Sequence, residues 1–365
     1  MLFVLDSSIL EMDVKCVKQN MALETLICAY QKGDHLLFSD MKVMDKLKVL
    51  VADFLSFSSR AVLNALHNRL PQYQPLTKLI DYKVIVYIES EFKKSIFRLG
   101  NEWHVPLQTF SNFGLVSTAI LGENEIDSEL YVIFAEHYAE KTKIRGFPPV
   151  ARVRGGGGSG TPKALASYLR TEFSPCLCIT DSDKLHPAYR ESATSKKCSL
   201  ISSSVKLRVV EHFSLEEREA ENILPIDVLK KVSTIDDFLR KIIPGIFPNE
   251  ESIKYVDLKN GIRLEWVVKQ DAATQTYWNK ANVFLANRRK VCTFCKKLSD
   301  EDKAKCSCGW ISGLGDQVLS NAVAHLNSRE RRLNLRDLET DSRWLKIGKK
   351  VYEFSIAPGR DVSFI

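Results

Sequence analysis

The sequence predicts an α/β protein in which a mostly parallel sheet is flanked by helices and preceded by a further α/β domain. Three observations carry this. Short strand-like runs rich in β-branched and apolar residues recur at 2–5, 36–38, 83–89, 115–121, 150–153, 176–180 and 207–213. They alternate with segments of helical length at 44–69, 129–143 and 162–171. Glycine-rich or acidic turns separate them. Strands that alternate with helices of this kind pair in parallel through right-handed crossovers.

With 365 residues, 45% hydrophobic and 27% charged, the chain has enough apolar material for packed cores in about two to three domains. The patterning divides it into an N-terminal α/β domain over 1–112, a central domain over 113–230 and a C-terminal region over 231–365. In the first, 2–5 and 36–38 read as short strands, 44–69 as a helix with apolar residues three and four apart, and 83–89 as a strand. In the last, Asn260-Gly261 is a hairpin signal and 316–326 a helix. No run of about 18 apolar residues and no N-terminal signal pattern occurs, so a cytoplasmic protein without a membrane segment is expected. Five of the nine cysteines (Cys16, Cys28, Cys176, Cys178, Cys198) lie singly or within apolar runs, as suits a reducing compartment. Residues 280–365 hold 17 Lys/Arg against 10 Asp/Glu, so the whole excess of +7 lies there. That bias, with the stretch Arg329-Glu-Arg-Arg-Leu-Asn-Leu-Arg336, points to a polyanion such as nucleic acid.

The chemistry is concentrated in two acidic segments. Glu123-Asn-Glu-Ile-Asp127 follows the apolar run 115–121, and Asp181-Ser-Asp183 follows 176–180. In open parallel sheets, ligands bind beyond the C-terminal ends of the strands, where both segments fall. Spacing of four places Glu123 and Asp127 on one side of a first helical turn, although acidic residues there also cap helices. Crowded carboxylates repel unless a cation sits among them. Mg²⁺ or Mn²⁺, held by oxygen ligands and water, would supply it. Farther along, Ser214-Leu-Glu-Glu217 and Glu219-Ala-Glu221-Asn222 read as the acidic start of a helix.

Between the two segments lies Gly155-Gly-Gly-Gly-Ser-Gly160-Thr-Pro-Lys163, a strand-to-helix turn with proline near the first helical position. It lacks the Gly-Lys-Ser/Thr ending of a P-loop. Its backbone at Gly157 and Gly158, together with Lys163, is a candidate phosphate contact. Cys292-x-x-Cys295 and Cys306-x-Cys308 have the look of a closed four-thiolate zinc site, which would be structural.

A strand ending in Glu, a strand–glycine-turn–helix unit, and a strand ending in Asp-x-Asp together resemble the toprim domain of topoisomerases, primases and nucleases. The order and spacing are similar to the nuclease branch related to the overcoming-lysogenization-defect family. Asn124 stands where that family usually has glycine, and asparagine tolerates left-handed backbone better than other non-glycine residues. The resemblance implies a metal-dependent nuclease acting on DNA or RNA. Glu123, Asp181 and Asp183 would hold Mg²⁺ or Mn²⁺, Asp127 would assist, and either Glu217 or Glu221 would serve as the later acidic ligand. It also implies an ATPase partner protein, a role in defence against invading genomes, and metal-activated water as nucleophile.

Other readings compete. A non-catalytic nucleic-acid-binding or regulatory protein would keep the same fold and the basic tail. A phosphatase using Asp181 and Asp183 is disfavoured by the residues that follow, Lys184-Leu-His. Val4-Leu5-Asp6 resembles the first strand of PIN-type nucleases, where the aspartate holds metal. His186 and His212 make no nucleophile–base pair.

Overall fold

The computed structural model describes residues 1–89, 95–112, 114–232, 250–286, 309–328 and 342–359. Among the described residues the protein is α/β, with one parallel-dominated mixed sheet and one further sheet of parallel pairs, both flanked by helices, and a two-stranded antiparallel pair. It divides into two compact units, each discontinuous in sequence: Met1–Ile179, Lys197–Phe213 and Leu345–Ile365 in the first, Thr180–Lys196 and Ser214–Trp344 in the second.

The first sheet of unit 1 has the order β2-β1-β3-β5-β4. Strands β1 (Leu2–Leu5), β2 (Leu36–Ser39), β3 (Lys83–Tyr87) and β5 (Glu102–Pro106) are parallel, and β4 (Phe97–Leu99) runs antiparallel to β5 at the edge. β1, β2 and β3 coincide closely with the runs expected from the sequence. The β4–β5 hairpin was not expected, although Gly100-Asn101 between its strands is a turn pair, with Gly100 at φ 58°. Helix α1 (Val17–Gln31) is followed by α2 (Met41–Leu50) and α3 (Phe57–Leu79), where the sequence predicts one helix over 44–69. The break has a capping cause: Ser56 is extended and its hydroxyl accepts the Ser59 N–H, starting a new helix.

The second sheet has the order β7-β6-β8-β9: β7 (Ala151–Gly155), β6 (Thr118–Gly122), β8 (Cys176–Thr180) and β9 (Val210–Ser214). β6 is parallel to both neighbours, with Leu121 opposite Cys178 on one side and Arg154 on the other. β6 and β8 are buried at every position, which is why they read as unbroken apolar runs. Helices α4 (Glu125–Lys141) and α5 (Thr161–Thr171) make the crossovers, and α6 (Ala193–Ser204) follows β8. Leu165, Leu169, Cys176, Cys178, Cys198 and Val210 share one buried cluster, so three of the isolated cysteines act as small apolar core residues.

The C-terminal helix, Arg343–Ser355, ties the two sheets of unit 1 together through its later turns. Thr118 on β6 donates to the Phe354 carbonyl, and the Phe354 ring packs on Tyr82 and Trp103 at 5.3 and 5.5 Å. Tyr82 N–H donates to the Glu353 carboxylate at 3.2 Å.

Unit 2 is less regular. Its described elements include helix α7 (Ile226–Val232), the antiparallel pair β10 (Gly261–Arg263) and β11 (Gly309–Ser312), and helices Ala272–Ala286 and Val318–Leu326. Asn260-Gly261 therefore opens a strand whose partner is distant in sequence, in place of the local hairpin that the dipeptide suggests. Among the described residues, no helix is long and apolar enough to cross a membrane.

Glu353 gives a pH-dependent term. It is 1% exposed, and burial pushes its carboxyl from about 4.5 up to about 7, against the pull of Lys349 and the Tyr82 N–H. A carboxyl whose pKa is higher folded than unfolded stabilises below the unfolded value and loses that contribution as pH rises through the folded one. Thermal melts should therefore show stability falling between about pH 5 and 8, and Glu353→Gln should flatten that fall by roughly 2–3 kcal/mol. Equal pH profiles for the two proteins would refute it.

Candidate functional site

In unit 1, Glu123 lies one residue beyond the end of β6. Asn124 is the N-cap of α4, at φ −123° and ψ 161°, so it is extended and needs no left-handed freedom. Asparagine suits this position as a cap, which gives a physical reason for the residue found there. Asp127 is the third residue of α4, 3% exposed, and its Oδ2 accepts the Asn124 N–H at 2.7 Å. It thus performs the capping role, and Glu123 precedes the helix instead of sharing its first turn. Ser128 locks the strand ends: its Oγ accepts the Gly122 N–H at 2.6 Å and donates to the Arg154 carbonyl at 2.9 Å.

The glycine turn folds back onto this segment. Gly157 and Gly158 have φ of 76° and 60°, in the left-handed region that favours glycine. Their N–H groups both donate to the Glu123 carbonyl, at 2.8 and 3.0 Å. A Cβ on Gly155 would come within 2.8 Å of the Glu125 backbone nitrogen. The glycines are explained by backbone geometry, and the two amides expected to cradle a phosphate are engaged by Glu123. Lys163, at the start of α5, is exposed.

In unit 2, the Thr180–Asp183 segment is laced to residues 215–220. Leu215 N–H donates to the Thr180 carbonyl, and the N–H groups of Ser182 and Asp183 both donate to the Arg218 carbonyl, at 3.1 and 3.0 Å. The buried Ser182 hydroxyl donates to the Glu217 carbonyl at 2.6 Å. Asp181 Oδ1 accepts the Ala220 N–H at 3.1 Å. Asp183 is exposed and adopts φ 53°, a left-handed conformation that aspartate enters more readily than most residues.

Residues 214–222 do not start a helix, as the acidic run suggests. Ser214 ends β9, Glu219 is extended, and only a short 3-10 turn forms over Ala220–Ile223. Asn222 closes a capping box that opens this short turn and ties it to the chain around 253–256. Its Oδ1 accepts the Glu219 N–H, while its Nδ2 donates to the Ile253 and Val256 carbonyls at 2.7 and 2.9 Å. Glu217 and Glu221 are consequently buried, at 6% and 1% exposure, where a helix face would have left them in water. Burial raises the Glu217 carboxyl above its usual range, eased by Arg343 and Lys254. Glu219 is raised for the same reason, eased by Arg218 and Lys259.

The charge that answers this acidic group is a lysine. Lys259 Nζ lies 2.9 Å from Glu221 Oε1 and 3.7 Å from Glu219 Oε2. Burial alone would lower its pKa, but Glu221, Glu219 and Asp181 together hold it well above the ordinary lysine value. Arg218 extends the network, with Nε 3.2 Å from Glu219 and Nη2 3.1 Å from Asp257. Lys259, Arg218, Glu219, Asp257 and the structural Asn222 were not expected as site residues. The acidic residues around Lys259 come from segments far from it in sequence, so nothing near it marks it.

The remaining expectations are quickly placed. Among the described residues, no group of three or more His, Cys, Asp or Glu side chains is arranged to hold a metal ion. Lys259 supplies the counter-charge at Glu219 and Glu221. Asp6 caps the turn after β1 through the Ser8 N–H at 2.9 Å. His186 is buried, with the Tyr189 and Tyr277 rings at 5.4 and 6.0 Å. His212 lies in β9, where burial pushes its pKa down to about 4. Cys292, Cys295, Cys306, Cys308 and the basic stretch 329–336 lie outside the described residues. Compared with models of protein families, with curated proteins and with solved structures, the chain matches none.

Removing Lys259 while leaving Glu221 buried would strand a charge in a low-dielectric site. Lys259→Met should lower unfolding free energy by roughly 2–4 kcal/mol in chemical denaturation, and adding Glu221→Gln should recover a large part. A Lys259→Met protein as stable as the parent would show that the pair contributes nothing.

Proposed function

We propose that the chain is a nuclease that cleaves DNA or RNA phosphodiester bonds through a toprim-like domain. Glu123, Asp181 and Asp183 are its cation ligands, and Mg²⁺ or Mn²⁺ the cation. The observation that supports this reading is the sheet order β7-β6-β8-β9. The strands before the two acidic segments, β6 and β8, are parallel neighbours with Leu121 opposite Cys178. Parallel neighbours end at the same edge of a sheet, where such folds bind ligands. In this reading Asp127 serves the N-terminus of α4, and Glu217 and Glu221 shape the 215–221 segment from its buried side. The ATPase partner and the defence role implied by the resemblance belong to this proposal.

A second reading is a nucleic-acid-binding or regulatory protein that cleaves nothing. The ion pair of Lys259 with Glu221 favours it, because an ammonium already balances that carboxylate. Cleavage of plasmid and single-stranded RNA with Mg²⁺ or Mn²⁺ separates the two. The nuclease reading expects turnover in the parent chain and a loss of about a hundredfold or more in both Glu123→Ala and Asp181→Ala. Binding without cleavage, equal in parent and variants, would establish the second reading.

The four cysteines Cys292, Cys295, Cys306 and Cys308 are proposed to hold a structural zinc ion. Elemental analysis of the purified chain should find zinc in equimolar amount, lost together with thermal stability in Cys292→Ser. Metal-free protein of unchanged stability would remove the zinc module.

A further inference from the structure

A pocket of about 460 Å³ in unit 2 lies beside the Asp183 turn, lined by the loop 183–192 and the first turn of α6. The loop is closed on itself. Ser192 N–H donates to the Ser182 carbonyl at 2.9 Å. The Ser192 hydroxyl donates to the Asp181 carbonyl at 3.3 Å and accepts the Ser195 N–H at 3.0 Å, which caps α6. Within the loop, Tyr189 N–H donates to the His186 carbonyl at 2.9 Å. Buried Leu185 and the half-buried Tyr189 form the apolar wall. The ionisable lining consists of Asp183, Arg190, Glu191 and Lys196, all exposed. No hydrogen bond or ion pair engages these four side chains among the described residues, so all four are available to a ligand.

An aromatic ring, two cations and a volume within the range of small-ligand pockets suit a nucleotide, its base against Tyr189 and its phosphate at Arg190 and Lys196. The two carboxylates decide when it binds. They cancel the two cations, so the bare pocket has no net attraction for an anion. On the reading that Asp183 holds a divalent ion, that ion leaves the lining with a positive surplus and makes it a phosphate site. We infer that this pocket takes one unpaired nucleotide of the substrate strand, and takes it only once the cation has bound at Asp183. The nucleotide is unpaired because a base in a duplex would have to leave its stack to reach Tyr189. The glycine turn does not compete for this role, since the Gly157 and Gly158 amides are held by the Glu123 carbonyl. The inference deepens the nuclease proposal and rests on it for the cation, but its sharpest test needs neither metal nor cleavage.

The probe is a 5′-phosphorylated, 3′-fluorescein trithymidylate with phosphorothioate linkages that resist cleavage, followed by anisotropy with the intact chain. The parent should bind it in Mg²⁺ and about tenfold or more weakly in EDTA. Asp183→Asn should bind it in EDTA, because the amide removes the charge that the cation otherwise answers, and asparagine tolerates the left-handed backbone at φ 53°. Arg190→Ala/Lys196→Ala and Tyr189→Ala should each weaken binding by about tenfold or more, while Tyr189→Phe retains it, all with unchanged melting. A blunt duplex should not compete, and thymidine monophosphate should bind more weakly than the trinucleotide. Equal affinity for the monophosphate overturns the assignment to a strand in favour of a free nucleotide. Asp183→Asn with no gain in EDTA, or Arg190 and Lys196 variants that bind as tightly as the parent, overturn the pocket even where the parent cleaves single strands with Mg²⁺. A parent indifferent to Mg²⁺, beside an Asp183→Asn protein that binds through Arg190 and Lys196, overturns instead the cation at Asp183 and the nuclease reading with it.

Discussion

A carboxylate taken out of water must be neutralised by a proton or matched by a cation, and the second unit is organised around that constraint. Glu221 is almost wholly buried, with Glu219 and Asp181 in the same network. Lys259 reaches this group from the turn before β10, and Arg218 joins Glu219 to Asp257. Because the charges come from segments around 181, 218–221 and 257–259, the network also fixes those segments against one another. Asn222 performs the uncharged half of the task, joining the 219 turn to the Ile253 and Val256 carbonyls. Such a group is poorly replaced one residue at a time, since each deletion leaves the others buried without compensation.

The first unit obeys a different constraint, close approach of backbone at the end of β6. Gly122, Ser128 and the Arg154 carbonyl are linked within hydrogen-bonding distance, and the glycine turn donates two amides to Glu123. These bonds fix where the chain emerges after Glu123. They also account for the four successive glycines without invoking a ligand. Two need left-handed backbone, and neither Gly155, beside Glu125, nor Gly156, beside Thr161, has room for a Cβ.

What could be read from the sequence was governed by whether the relevant interaction is local. Runs buried on both faces, such as β6 and β8, announce themselves, as does a proline near the start of α5. The break at Ser56 is a single capping bond inside a long apolar pattern, and the pattern hides it. The acidic run 214–222 has the composition of a helix start, yet Asn222 closes only a short turn there and ties it to residues some thirty positions away. The sequence places Glu217 and Glu221 in that helix start, one of them as a later acidic ligand, whereas both are buried and no α-helix forms there. Lys259 illustrates the limit most clearly: its importance comes wholly from residues distant in sequence.

That observation also sharpens the functional question. Clustered carboxylates in a sequence require a positive charge, but do not specify its kind. An ammonium on a four-carbon stem satisfies two of them here, Glu219 and Glu221, which leaves the case for a divalent ion with the residues Lys259 does not contact directly. Asp183 is exposed in a left-handed turn fixed through the Arg218 carbonyl, and Asp181 keeps one oxygen on the Ala220 amide. Glu123 stands at the end of β6, fixed through its own carbonyl by the glycine turn. All three have their backbone positions set by hydrogen bonds that do not involve a metal. Under either reading these bonds close the strand ends, so the backbone positions do not distinguish the two. The two therefore differ only in what Glu123, Asp181 and Asp183 bind, and not in how the fold holds them.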